Sequence, residues 1–188
     1  MMRIITGNAK GVRLVTLEGE ATRPTSERAK EAVFSMIQFD LEGRTVLDLF
    51  AGSGQMGLEA LSRGAAGAVF VDSSNAACDI IRANAKKTRL EDRCRVFCRD
   101  YKSFLMSATE KFDIVFIDPP YAMRAVPDAL SALLENGMLK KTTFAVCESA
   151  EEDIFSGHEK LRAKFETVRK AKYGVAHITL LSPKGEAL

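Results

Sequence analysis

From residue 44 to residue 147 the chain repeats one pattern, in which a short apolar run is followed by a stretch with helical spacing. The apolar runs are nearly continuous, so the strands that they predict are buried on both faces. Strands that alternate with helices are typical of a parallel sheet covered by helices on both sides. The predicted strands are Val46–Phe50, Ala68–Val71, Cys94–Cys98, Asp113–Ile117 and Phe144–Cys147, and the predicted helices between them are Gly57–Arg63, Asn75–Thr88 and Pro127–Glu135.

Two further segments precede this repeat. Residues 3–17 indicate a β-hairpin, because "RIIT" and "VRLVTL" flank the turn sequence "GNAKG". The apolar spacing over Thr25–Phe39 predicts a helix, for which Thr25 or Ser26 is the expected N-terminal cap.

The C-terminal part of the chain predicts an antiparallel pair of strands, Phe165–Lys172 and Val175–Leu181, which meet at Gly174. This pair completes a mostly parallel α/β sheet of seven strands whose last strand is antiparallel. Because 188 residues with 46% hydrophobic content suit one domain of ordinary size, we expect a single domain over 1–188, with 1–20 as a hairpin extension.

A glycine-rich loop, "DLFAGSGQMG", follows the first predicted strand. Gly52, Gly54 and Gly57 form the pattern G-x-G-x-x-G, which permits a tight turn and close approach of the backbone to a ligand. Ligands of open α/β sheets bind outside the carboxyl ends of the strands. Asp72 ends the second strand and is suited to accept hydrogen bonds from both ribose hydroxyls, so these residues predict a nucleoside site.

Asp48 bears on which nucleoside is bound. A carboxylate is unfavourable beside the pyrophosphate of a dinucleotide, whereas it attracts the ammonium and sulfonium groups of S-adenosylmethionine. The alternative is that Asp48 caps the loop or forms a salt bridge. Asp100 and Tyr101 close the third strand, where they are expected to reach the edge and the face of an adenine, although a plain turn explains them nearly as well.

The fourth predicted strand runs into "DPPY". Each proline fixes its own φ and removes a backbone donor, so Asp118, Pro119 and Pro120 predict a stiff rim that presents acceptors. Asp118 and a neighbouring carbonyl suit a group with two N–H donors, namely the exocyclic amine of a base. Tyr121 offers a ring on which that base can stack. A rigid turn with a capping Asp explains proline pairs in general, but it does not explain why all four residues lie beside the predicted nucleoside site.

Basic residues concentrate at the two ends of the chain, although the net charge is only +2. Lys10 and Arg13 lie in the predicted hairpin, and six further Lys or Arg residues lie within 159–173. These segments suggest a face that binds a polyanion, and solvated lysines on exposed faces explain them equally well.

The remaining composition excludes several classes of protein. No apolar run approaches the ~20 residues of a membrane span, and the N-terminus lacks the apolar core of a secretory signal, so a cytoplasmic protein is expected. The four cysteines lack the regular spacing of a disulfide framework. Neither they nor the two histidines show the spacing of zinc ligands, so no metal is expected.

Together these motifs resemble a known family. "DLFAGSG" is similar to the first motif of class I S-adenosylmethionine methyltransferases, and "DPPY" is similar to the fourth motif of the members that methylate amines. More narrowly, the chain resembles the RsmD family of bacterial methyltransferases that act on guanine N2 in 16S ribosomal RNA. The supporting stretches keep the order of the family: "RIITGNAKG", "TRPTSERAKEAVF", "DLFAGSGQMGLEALSRGA", "FDIVFIDPPY", Glu148 after the fifth strand, and "KYG".

The resemblance implies a Rossmann-like fold and the methylation of guanine N2 in 16S ribosomal RNA, within a small-subunit ribonucleoprotein particle, with S-adenosylmethionine as the methyl donor. It implies base handling by Asp118, Pro119 and Tyr121, and a segment with Arg23 and Thr25 that closes over the cofactor and substrate. The implied cofactor contacts come from Asp48, Phe50, Gly52, Gly54, Asp72, Asp100 and Asp118.

Other functions remain open from the sequence. The same motifs fit methylation of adenine N6 in DNA or of another amine in RNA. A nicotinamide-dependent oxidoreductase shares the glycine loop, and a non-catalytic RNA-binding protein can keep the fold. A protein-glutamine methyltransferase is less favoured, because that group usually shows Asn where this chain has Asp118.

Overall fold

The computed structural model describes residues 2–17 and 24–185. Within these residues seven strands form one sheet in the order β3-β2-β1-β4-β5-β7-β6. The strands are β1 (Thr45–Asp48), β2 (Gly67–Asp72), β3 (Cys94–Cys98), β4 (Phe112–Ile117), β5 (Leu139–Ser149), β6 (Phe165–Tyr173) and β7 (Ala176–Pro183). The first five run parallel, and β7 is antiparallel to both of its neighbours, so the predicted α/β fold is confirmed.

Helices cover both faces of the sheet, because alternate residues of each buried strand point to opposite sides. On one face Val46 and Phe116 pack in the same apolar cluster as Phe34 and Ile37. On the other face Leu47 and Val115 belong to a second cluster. The helices are α1 (Pro24–Met36), α2 (Gln55–Ser62) and α3 (Asn75–Thr88) on the first face, and α4 (Tyr101–Ser107), α5 (Val126–Glu135) and the one-turn α6 (Glu159–Arg162) on the second.

The N-terminal segment folds back on itself as predicted, although its ladder is limited to one bridge between Arg3 and Arg13. The amide of Ile4 donates to the Val12 carbonyl at 3.0 Å, and the Gly11 amide donates to the Ile4 carbonyl at 2.9 Å. This short pairing could not hold the hairpin by itself, so its position depends on contacts with the helices.

A buried glutamate of α2 supplies those contacts. Glu59 is 0% exposed and accepts hydrogen bonds from the amides of Ile5 and Thr6 at 2.7 and 3.0 Å. Arg63 donates to the same carboxylate at 2.8 Å, and the Lys30 ammonium lies 3.5 Å from it. Burial lowers the pKa of Lys30, and the neighbouring Glu59 opposes that shift. The hairpin is thus fixed to α1 and α2 through one paired carboxylate.

Three local features differ from what the sequence predicts. Helix α1 begins at Pro24, in keeping with the preference of proline for the first helical position, so the predicted cap positions Thr25 and Ser26 lie within its first turn. Helix α4 was not predicted. A disulfide joins Cys78 in α3 to Cys98 at the end of β3, a pairing that the cysteine spacing had not indicated. None of the helices in the described ranges is long and apolar enough to cross a membrane.

Candidate functional site

A cleft of about 610 Å³ opens at the carboxyl ends of β1, β2, β4 and β5. This is the edge at which ligands bind in open α/β sheets. Eight of the residues predicted from the sequence line it, namely Phe50, Gly52, Asp72, Asp100, Tyr101, Asp118, Pro119 and Tyr121. Residues of the predicted nucleoside site therefore lie in one cavity with those of the predicted base site.

Asp72 connects the glycine loop to the loop that follows β2. Its carboxylate accepts a hydrogen bond from the Gly52 amide at 2.8 Å and another from the Ser74 amide at 2.9 Å. Gly52 has a φ of 52°, a conformation that side chains disfavour and glycine allows. Since each carboxylate oxygen has more than one acceptor site, Asp72 can still bind a ribose diol from its position on the cleft wall.

Asp48 lies beneath the glycine loop and not on the cleft surface. It is 3% exposed, and its carboxylate accepts a hydrogen bond from the Gly57 amide in the first turn of α2 at 3.0 Å. Burial raises the pKa of Asp48 to about 7, the Gly57 hydrogen bond opposes the shift, and the charge of Asp72 adds to it. The capping contact is the one that the alternative explanation anticipated, and attraction of a cationic ligand stays a prediction.

The segment after β3 differs from the prediction. Strand β3 ends at Cys98, and Asp100 is the N-cap of α4. Its carboxylate accepts hydrogen bonds from the hydroxyl and the amide of Ser103 at 2.5 and 3.0 Å, and these contacts lower its pKa. Tyr101 is buried, with its ring centroid 4.9 Å from that of Phe50. The two rings form an aromatic wall beside Asp72, where a purine can lie.

The "DPPY" segment forms the opposite wall. Asp118 follows the last residue of β4, and Tyr121 begins a turn of 3₁₀ helix. The Tyr121 hydroxyl donates a hydrogen bond to Glu148 at 2.9 Å, while 41% of the residue remains exposed. Burial raises the pKa of Glu148, and the bond from Tyr121 opposes that shift. The ring is therefore held by its hydroxyl with surface left for a ligand.

No role is assigned from the sequence to two charged residues of this cleft, Arg99 and Glu148. Glu148 carried a detectable signal, because it is an acid that directly follows the apolar run "FAVC" in a parallel strand. Arg99 carried no such signal. In the described part of the chain, no cluster of three or more His, Cys, Asp or Glu side chains is arranged to hold a metal ion.

Of the residues predicted to bind RNA, Lys10 and Arg13 do not line the cleft. Lys10 is exposed at the turn of the hairpin, where the Asn8 amide bonds to the Ser62 carbonyl at 2.9 Å. Ser62 ends α2, whose eight residues begin at the cleft, so this contact of the hairpin lies at the other end of that helix, roughly 12 Å from its start. Arg13 is exposed on the same hairpin. Thr25 lies in the first turn of α1, and Arg23 falls outside the described residues.

Comparison with known proteins agrees with this geometry. YlbH of Bacillus subtilis is 34% identical over 193 residues, which cover 98% of this chain and 100% of the relative. The Ribosomal RNA small subunit methyltransferase D of Escherichia coli K12 is 34% identical over 81% of this chain and 76% of its own length. The solved structure of "Putative methyltransferase yhhF" from Escherichia coli superposes with a TM-score of 0.85 at 30% identity, covering 97% of this chain and 98% of that one.

The family model described as Conserved hypothetical protein 95 matches residues 2–182. It spans the hairpin, the glycine loop, the "DPPY" segment and most of β7, so the similarity is not limited to the first strands of the sheet and the glycine loop. The resemblance to the RsmD family drawn from the motifs is confirmed, and this chain belongs to the Conserved hypothetical protein 95 family.

Proposed function

We propose that this protein methylates the exocyclic N2 amine of a guanine in 16S ribosomal RNA, with S-adenosylmethionine as the methyl donor. The observation that carries the proposal is that one cleft holds both the Asp72 loop, which suits a nucleoside, and the Asp118–Tyr121 segment, which suits a base with an amine. The proposal is supported by the name of the Escherichia coli relative, a small-subunit ribosomal RNA methyltransferase.

The donor half of the cleft fits S-adenosylmethionine. A cavity of about 610 Å³ is within the usual size of small-molecule sites. Asp72 accepts hydrogen bonds from the ribose hydroxyls, and the pair Phe50 and Tyr101 packs against the adenine. S-adenosylmethionine supplies a methyl group made electrophilic by its positive sulfonium, and Asp48, buried below the loop, favours that charge.

The acceptor half of the cleft holds and orients the amine. Asp118 and a backbone carbonyl of the proline rim accept hydrogen bonds from the N–H groups, so that the nitrogen lone pair points away from them and toward the donor half. Tyr121 stacks on the base. The N–C bond would form as the S–C bond to the methyl group breaks, with S-adenosylhomocysteine as the leaving product, and the methylated nitrogen would then lose its additional proton to Asp118 or to water. Most of the rate enhancement then comes from positioning.

A target guanine within folded RNA must be turned out of its stack to enter this cleft. Lys172 of β6 is well placed to contact the RNA phosphates. It pairs with His177 of β7, and His177 pairs in turn with Ser149 of β5. Lys172 therefore lies level with the end of β5, roughly 10 Å away across two strand spacings. Lys10 and Arg13 remain expected phosphate contacts farther from the cleft. We place the reaction on a small-subunit particle in the cytoplasm.

The test combines one substitution with product identification. Asp118→Ala should reduce labelled methyl transfer to small-subunit particles by roughly 100-fold or more. Asp128→Ala, which alters an exposed carboxylate on α5, is the matched control and should retain full activity. Full turnover by Asp118→Ala would remove the proposed role of that residue. Nucleoside mass spectrometry should find N2-methylguanosine, whereas N6-methyladenosine in DNA or RNA would identify the nearest alternative reaction.

A further inference from the structure

Glu148 occupies a central position that the proposed reaction does not use. It lies at the carboxyl end of β5 and lines both the main cleft and an adjoining cavity of about 280 Å³ beyond Tyr121. It is only partly exposed, and it receives the hydrogen bond of the Tyr121 hydroxyl at 2.9 Å. A base that stacks on Tyr121 with one edge toward the hydroxyl end of the ring would meet this carboxylate.

Strand register places Glu148 beside Asp118. Ile117 of β4 pairs with Cys147 of β5, so Asp118 and Glu148 follow side by side on neighbouring strands, about 4.8 Å apart between strand axes. Because side chains alternate along a strand, both point to the face on which Phe116 and Val146 pack. Both also line a small cavity of about 70 Å³ under α1. The cleft thus presents two carboxylates from adjacent strands to one ligand edge.

We propose that Glu148 selects guanine over adenine at the acceptor end of the cleft, by accepting the hydrogen bond of the guanine N1–H while Asp118 holds the N2 amine. The proposal rests on the function proposed above. Guanine offers N1–H and the N2 amine as adjacent donors on its Watson–Crick edge. Adenine offers an amine beside an N1 that is an acceptor. An ionised carboxylate can only accept, so it matches guanine and leaves the adenine N1 without a donor.

The bond from Tyr121 makes this selection specific. A hydrogen bond to the charged form of a carboxylate favours that form, so the hydroxyl helps to keep Glu148 an acceptor. It also fixes the position of the carboxylate relative to the ring on which the base stacks. The hydrogen bond therefore connects Tyr121, in the loop after β4, with Glu148, at the end of β5. Tyr121 is expected to set the plane of the base, and Glu148 is expected to set its identity.

The discriminating substrate is 2-aminopurine, which keeps the N2 amine but has an acceptor at N1. Once the methylated position has been mapped, small-subunit RNA carrying either guanine or 2-aminopurine at that position is assembled into particles. For the unaltered protein, kcat/KM should be roughly 10–100-fold higher on guanine. Glu148→Gln offers an amide N–H to N1, so the ratio of guanine to 2-aminopurine should fall to within a few fold of one.

Two controls separate selection from structural damage. Glu152→Gln, on the exposed segment after β5, should keep the ratio of the unaltered protein. The thermal midpoint and the affinity for S-adenosylhomocysteine show whether Glu148→Gln is folded. Equal losses on both substrates, or an unaltered protein that does not distinguish them, would overturn the role of Glu148. If the unaltered protein instead methylates an amine other than guanine N2, the proposed function itself fails and this inference fails with it.

Discussion

Replacing Asp48 with asparagine should stabilise the ligand-free protein in a pH-dependent way. Asp48 is almost fully buried, and its carboxylate accepts one hydrogen bond, from the Gly57 amide. Within the described residues no Lys or Arg forms an ion pair with it. An asparagine side chain has nearly the same shape as aspartate and can still accept from Gly57, so Asp48→Asn removes mainly the buried charge.

The magnitude follows from the pKa. Burial raises the pKa of Asp48 from 3.8 to about 7, and each pKa unit corresponds to about 1.4 kcal/mol, which gives about 4 kcal/mol in total. Because the folded pKa is the higher one, the native state binds more protons between about pH 4 and pH 7. The free energy of unfolding therefore falls as the pH rises through this window and levels off above it. Because Asp48→Asn has no carboxyl group at this position, its free energy of unfolding should not show this fall.

The assay is thermal or urea unfolding of the unaltered protein and Asp48→Asn between pH 4.5 and 8.5. The two should differ little at the acid end. At pH 8 the variant should be more stable by up to about 4 kcal/mol, which is roughly 8–16 °C in Tm for a chain of this size. Asp79→Asn, on an exposed pair with Arg82, should follow the unaltered protein. Parallel stability curves for Asp48→Asn and the unaltered protein across this range would refute the reasoning.

Two further predictions concern the packing of α2 against β2 and the disulfide between α3 and β3. A Cβ at Gly57 would lie 2.3 Å from the Phe70 ring, so Gly57→Ala should destabilise the protein by about 1–3 kcal/mol in urea unfolding. Gly67→Ala is the control and should not destabilise it, because the nearest atom to a Cβ at Gly67 is 3.7 Å away. Equal effects of the two substitutions would contradict this packing. Reduction of the Cys78–Cys98 disulfide, which spans 20 residues, should lower the free energy of unfolding by about 3 kcal/mol. Cys98→Ser should have the same effect, whereas Cys94→Ser, which alters a free cysteine, should not. A Tm that is independent of reductant would show that the bond contributes nothing.

The elements with clear periodicity were predicted well. Asn75–Thr88 and Cys94–Cys98 have the predicted bounds, because a long amphipathic run and a short apolar run each specify one type of element. Helix α4 was missed for the opposite reason. Its seven residues are too few to show a period, and the sequence places Asp100 at the end of a strand, although it caps the helix that follows. The position of an acid after a strand is visible in a sequence, but its hydrogen-bond partner is not.

Contacts between distant residues account for most of what could not be predicted. Glu59 lies in the middle of α2, where helical periodicity alone does not explain a fully buried acid. Its partners, the amides of Ile5 and Thr6, are 54 and 53 residues away, and they become visible only when the hairpin is seated on the helix. Lys10 shows the same limit. Its charge suggests RNA binding, but its position near the far end of α2 follows from the topology, which the sequence does not show.

The base site depends on the same kind of information. Asp118 and Glu148 are thirty residues apart in the chain, and each can be recognised separately as an acid that follows a buried strand. Only the parallel register of Ile117 with Cys147 places the two side by side on one face. One carboxylate is enough to hold an exocyclic amine, and guanine and adenine both carry such an amine. If Glu148 acts as proposed, a second carboxylate at this spacing distinguishes the two bases, and the choice of base is then encoded in the pairing of β4 with β5 and not in "DPPY" alone.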